Sequence, residues 1–75
     1  MIEKRIKLCS PKDKMDFLKI TNSLNCDVDI RYGGRMFDAK SELSVLSLDN
    51  RVDGLKLRIH SDDISIINMF SKWFI

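Results

Sequence analysis

The stretch Asp27-Val28-Asp29-Ile30-Arg31-Tyr32-Gly33-Gly34-Arg35 decides the fold. Its first six residues alternate strictly between charged and apolar, the signature of a strand with one wet and one buried face. Two glycines then stand where a two-residue hairpin needs positive φ, and Arg35 to Ala39 reads as the returning strand. An antiparallel hairpin with one solvated face therefore lies at the middle of the chain.

Upstream, Ile2, Ile6 and Leu8 alternate with Glu3, Arg5 and Lys7, interrupted only by Lys4, which predicts a strand over residues 2 to 9. Ser10-Pro11-Lys12-Asp13 then reads as a helix start. Ser10 is the N-cap, Pro11 takes the first helical position, and Asp13 complements the helix dipole. Met15, Phe17, Leu18, Ile20 and Leu24 carry an apolar stripe to about residue 24, and Asn22 to Asn25 supplies turn-prone residues.

Downstream, Ser41 caps a short helix holding Leu43, Val45, Leu46 and Leu48, which Asp49-Asn50 ends. Gly54 breaks the chain before a last strand, where Leu55, Leu57 and Ile59 alternate with Lys56, Arg58 and His60. Ser61-Asp62-Asp63 caps a final helix, crowded with Ile64, Ile67, Met69, Phe70, Trp73 and Phe74, that is expected to reach the last residue. The order is β-α-β-β-α-β-α. Lys7, Asp29, Arg31, Lys56 and Arg58 fall on the wet side of one antiparallel sheet. The expected fold class is thus α+β, an open-faced two-layer sandwich of four antiparallel strands with three helices on one face.

The 75 residues make a single domain, 1-75, near the lower limit for one unstapled core. At 44% apolar and 32% charged, the composition argues against disorder, collagen-like repeats and membrane spans. The net charge of +2 arises from interspersed signs, with no linear basic stripe of the kind nucleic-acid binders carry, so no direct nucleic-acid partner is expected. No apolar run approaches the roughly 20 residues of a membrane helix, and the basic-then-apolar order of a signal peptide is missing. A cytoplasmic location without membrane attachment is expected. Cys9 and Cys26 with one histidine give neither a disulfide framework nor zinc-ligand spacing, so no metal or cofactor is expected. The two thiols read as buried, with a reactive Cys9 before a helix start as the alternative.

The hairpin, the run Ala39-Lys40-Ser41 and the ending Val45-Leu46-Ser47-Leu48, followed by Gly54 and the alternating last strand, resemble HPr, the small phosphocarrier of the sugar phosphotransferase system. The likeness covers nearly the whole chain, without a gap from Ser10 to Leu48. It implies the sandwich fold, a bacterial cytosolic protein, and no enzymatic activity of its own. Family members carry phosphate on a histidine at the start of the first helix, in a Gly-(Leu/Ile)-His-x-Arg-Pro motif. Here Leu8-Cys9-Ser10-Pro11-Lys12-Asp13 stands instead, with Ser10 at the histidine position and Lys12 at the arginine position. A serine hydroxyl lacks imidazole nucleophilicity near neutral pH and would form a stable ester, so phosphorelay at Ser10 is not expected. Lys12 offers a point charge where arginine offers a planar fork.

The resemblance further implies a regulatory phosphosite at Ser41, with Lys40 before it; Glu42 departs from the usual apolar residue there. Met15, Leu43 and Leu46 match the family's exposed partner patch, while Val45 and Leu48 match its core. Ser10 alone reads as an N-cap worth about 1 kcal/mol, or as a residual site for a phosphate or a partner's carboxylate. Ser41 reads equally as a cap alone. Tyr32 and Trp73 read as packing residues and His60 as a solvated one. The function expected is a regulatory or adaptor protein that meets a phosphotransferase-system protein, an HPr kinase or a transcription regulator. The competing readings are a divergent phosphocarrier using another residue and a divergent structural domain.

Overall fold

The computed structural model describes residues 1–49 and 54–75, so the expected helix end at Asn50 lies outside the described residues. Four strands, β1 (Ile2–Ile6), β2 (Val28–Tyr32), β3 (Arg35–Asp38) and β4 (Leu55–Ile59), form one antiparallel sheet in the order β1-β4-β2-β3. Helices α1 (Pro11–Ser23) and α2 (Glu42–Leu46) and a 3₁₀ helix (Ile64–Trp73) complete the expected element order. Hairpin β2–β3 closes at Tyr32 opposite Arg35. Of the two glycines, Gly33 takes a positive φ, 57°, and Gly34 does not, so the left-handed requirement falls on the first glycine rather than on both, as in a II′ turn.

The period-2 reading holds across the sheet. Val28 faces Ile59 and Ile30 faces Leu57, and all four side chains are buried. On the other face, Asp29 lies opposite Arg58, which lies opposite Glu3. Phe17 and Leu18 of α1, Val45 of α2, and Phe70 and Trp73 of the 3₁₀ helix join the inward strand residues in a single core cluster. Phe17, Phe70 and Trp73 form its aromatic centre, with ring centroids 5.5, 5.6 and 6.1 Å apart and tilted to edge-on angles that suit the ring quadrupoles.

Several boundaries move. β1 ends at Ile6 rather than residue 9, where its register with β4 runs out at Leu55, and the segment after Trp73 lies along its outer edge. Lys7 N–H donates to the Trp73 carbonyl at 2.9 Å, Ile75 N–H donates to Arg5 at 3.2 Å, and Phe74 bridges to Ile6. Lys4, the break in the alternation, occupies an inward position on this edge strand and sets its ammonium 5.7 Å from the Phe74 ring centroid. An inward charge on an edge also discourages pairing with other chains. The final helix stops at Trp73 and is 3₁₀, with three residues per turn. Ile64, Ile67, Phe70 and Trp73 therefore form one row, running from solvent at Ile64 to the core at Phe70 and Trp73. Met69 falls off that row and is exposed.

Other single-residue readings change too. Tyr32 is exposed at the lip of the hairpin, beyond the reach of the core, and its ring lies beside Gly54. Cys9 is exposed, while Cys26 is half-buried against the core, and neither forms a disulfide. His60 is solvent-facing but paired, its Nε2 2.6 Å from Asp29 Oδ2.

Candidate functional site

At the start of α1, Ser10 has extended backbone and its Oγ accepts from Asp13 N–H at 3.1 Å, the expected N-cap. Asp13 then reaches back, its Oδ2 accepting from Cys9 N–H at 3.0 Å, so a carboxylate of the chain itself sits where an outside anion would bind. Lys12 does not turn toward Ser10. Its Nζ lies 2.8 Å from Asp16 Oδ2, one helical turn on, and Lys72 Nζ approaches the same oxygen at 3.6 Å. That hydrogen bond holds the Asp16 carboxyl below its ordinary range and the Lys12 ammonium above its own. The local charges at Ser10 are balanced from within the chain, which weakens the case for an anion site.

Ser41 also caps as expected, its Oγ accepting from Ser44 N–H at a longer 3.3 Å. Lys40 behaves differently from the expectation that it serves a phosphate on Ser41. Its Nζ donates to the Leu24 carbonyl at 2.8 Å, at the negative end of α1. Its own N–H is held by Asp38 Oδ1 at 2.9 Å. On the other side of Ser41, the side chain of Glu42 is exposed.

Two buried polar residues that the sequence reading passed over tie this region together. Thr21 is fully buried, and its hydroxyl is shared between the Leu18 carbonyl at 3.2 Å and the Ala39 carbonyl at 2.8 Å. Lys14 is buried along its stem, with Nζ on the Leu48 carbonyl just past α2. Asn22 adds a bond to the Lys40 carbonyl at 3.2 Å. The signal was present in the spacing: 14, 17, 18 and 21 form the i, i+3, i+4, i+7 face of one helix, with Lys14 and Thr21 at its ends.

The apolar residues matched to a partner patch are exposed: Leu43 by 83%, Met15 by 43% and Leu46 by 40%, whereas Val45 is fully buried and Leu48 nearly so. A shallow groove between α1 and the start of α2 is lined by Met15, Leu18, Lys19, Asn22, Lys40 and Glu42, which brings Met15 and Lys40 together next to Ser41. Ser10 and Lys12 do not line it. Among the described residues, no group of His, Cys, Asp and Glu is placed to hold a metal ion, and no helix is long and apolar enough to cross a membrane.

No protein-family model matches the chain, and no curated protein matches it significantly. Among solved structures it is similar to HPr-C-His from Thermoanaerobacter tengcongensis, with a TM-score of 0.72 over 96% of this chain and 89% of that one. The fold is therefore HPr-like. At 19% identity the similarity extends to the fold alone.

Proposed function

We propose that the chain is an HPr-like regulatory or adaptor protein, without histidine phosphocarrier activity, that docks a protein partner through α2 and the neighbouring face of α1. One observation carries this reading. α2 anchors itself through fully buried Val45 while Leu43 and Leu46 stand 83% and 40% exposed, joined by Met15 of α1 at 43%, and a group of exposed apolar side chains is what a docking surface needs. Val45 and Leu48 secure the backbone, so the outward side chains are free to be a contact surface. The HPr-like fold supports a place in the sugar phosphotransferase system of a bacterial cytosol, and the serine at position 10 supports a role other than relay. Ser41 stands at the rim of the groove, where a phosphoryl group would add about −1.5 to −2 charges beside Glu42 and alter which partners the face accepts.

Two parallel incubations, read by intact mass and peptide mapping, test the reading. With phosphorylated enzyme I of the phosphotransferase system the chain should remain unlabelled. With an HPr kinase and ATP, it should gain one phosphate at Ser41. Labelling by enzyme I would restore the phosphocarrier reading, and an unmodified Ser41 would remove the regulatory input. For docking itself, Leu43→Glu should keep the folded spectrum, whereas unfolding of that variant would place Leu43 in the core.

A further inference from the structure

The sheet face turned away from the core carries two adjacent cross-strand rows with opposite electrostatic character. One row, Glu3–Arg58–Asp29–Asp38, sets three carboxylates against one guanidinium. Arg58 Nε lies 3.4 Å from Glu3 and 4.0 Å from Asp29, and Asp29 also holds His60. The next row runs Arg5–Lys56–Arg31–Met36, three cations directly opposite one another on three neighbouring strands. All three are exposed. Lys56 has a loose contact with Glu3 at 3.7 Å, while Arg5 and Arg31 have no ion-pair partner among the described residues. Like charges placed directly opposite destabilise a sheet. Among the described residues Glu3 alone comes within ion-pair distance of these three cations, which leaves charge in the row for an outside anion to pair.

We propose that this row binds an acidic segment of a partner protein, a site separate from the α1–α2 face. Strand spacing of about 4.8 Å makes the row roughly 10 Å long, the span of three to four residues of extended peptide, so two Asp or Glu side chains on alternate residues fall within reach of the three cations. Single-stranded nucleic acid fits less well. The row offers Met36 but no aromatic platform for base stacking.

The test is an amide-shift titration in about 0.1 M salt, where charges more than about 10 Å apart are screened, with a hexaglutamate peptide and, separately, a six-nucleotide oligo-dT. Hexaglutamate should shift Arg5, Arg31 and Lys56 and bind more tightly than oligo-dT. Arg31→Glu should weaken peptide binding about tenfold. The gentler Arg31→Gln should weaken it about threefold while preserving the fold. Lys4→Glu, on the same strand as Arg5 but facing the other way, should change it less than twofold. Equal losses in Lys4→Glu and Arg31→Glu, shifts that avoid the row, or tighter binding of oligo-dT would each overturn the proposal.

Discussion

Ser10 and Ser41 begin their helices with the same device, a hydroxyl accepting from the N–H three residues on, at 3.1 and 3.3 Å. What surrounds the two caps differs. At α1, Asp13 closes back onto Cys9 and Lys12 is turned to Asp16, so the helix start is neutralised by its own residues. Behind that start, 13 residues present a stripe of four buried side chains to the core. At α2, five residues hold one buried side chain, Lys40 is drawn away to α1, and the cap is followed by an exposed carboxylate. A serine cap in a sequence thus marks where a helix begins. Whether that start is also available to a partner depends on the groups that compete for it.

The comparison is broken most forcefully in the core. Phe17→Ala should destabilise the protein by about 3–5 kcal/mol, because it removes a fully buried ring from contact with Phe70 and Trp73. Leu43→Ala on α2 should stay within about 0.5 kcal/mol of the parent, as expected for an exposed side chain. Urea unfolding measures both. A loss above about 2 kcal/mol for Leu43→Ala would mean that α2 is held by that leucine and is not a free face.

The joint between the helices is the next target. Thr21→Val preserves shape but deletes the donor that serves the Ala39 carbonyl, so α1 loses its buried tie to the segment leading into α2 and keeps the outer ones through Asn22 and Lys40. The expected loss is about 1–3 kcal/mol, the range for leaving a buried acceptor unpaired. Faster amide exchange at Ser44 and Val45 should accompany it, whereas a loss confined to α1 would show that the two helices are not coupled through this bond.

Much of this architecture could be read along the chain because it depends on local periods. The alternation from Asp27 to Tyr32 and from Leu55 to Ile59 located two strands, and the Ser10-Pro11 pair located α1. What escaped depends on residues far apart in sequence. Lys40 looked like a neighbour of Ser41 and belongs instead to Leu24, 16 residues away, while Lys14 serves Leu48, 34 residues away. The basic row on the sheet escaped for the same reason, since Arg5, Arg31 and Lys56 are interspersed with acids along the chain and become neighbours only by strand pairing. At the candidate site, exposure of Met15, Leu43 and Leu46 followed from the HPr resemblance rather than from their own pattern, which allowed core or surface.

The caps themselves sharpen the comparison at smaller scale. Ser10→Ala should lower stability by about 1 kcal/mol. Ser41→Ala, whose bond is longer and whose helix is shorter, should lower it by about half as much. Thermal unfolding of the two variants ranks them, and the reverse order would show that α2 depends on its cap more than α1 does.

The smallest effect is one that α1 shows through its Lys12–Asp16 pair. Asp16 has a carboxyl pKa lowered below its ordinary 3.8 by the Lys12 hydrogen bond, so its contribution is complete above that value and disappears as pH falls through the lowered pKa. Lys12 is raised above its ordinary 10.5, so the pair's contribution is present below that value and disappears as pH rises through the raised pKa. Between those limits the contribution is flat. Lys12→Gln should therefore leave the pH 7 unfolding curve almost unchanged, as exposed pairs contribute little. In acid it should make stability fall less steeply below pH 3.8, because Asp16 then takes up fewer protons on unfolding. Lys72, 3.6 Å from the same carboxylate, keeps part of the slope, so only the double change Lys12→Gln with Lys72→Gln should remove it. Asp63, held low by its hydrogen bonds from Ser65, keeps its own acid slope in every variant, so the readout is the difference from the parent, and an acid slope unchanged by the double change would assign the titration away from Asp16.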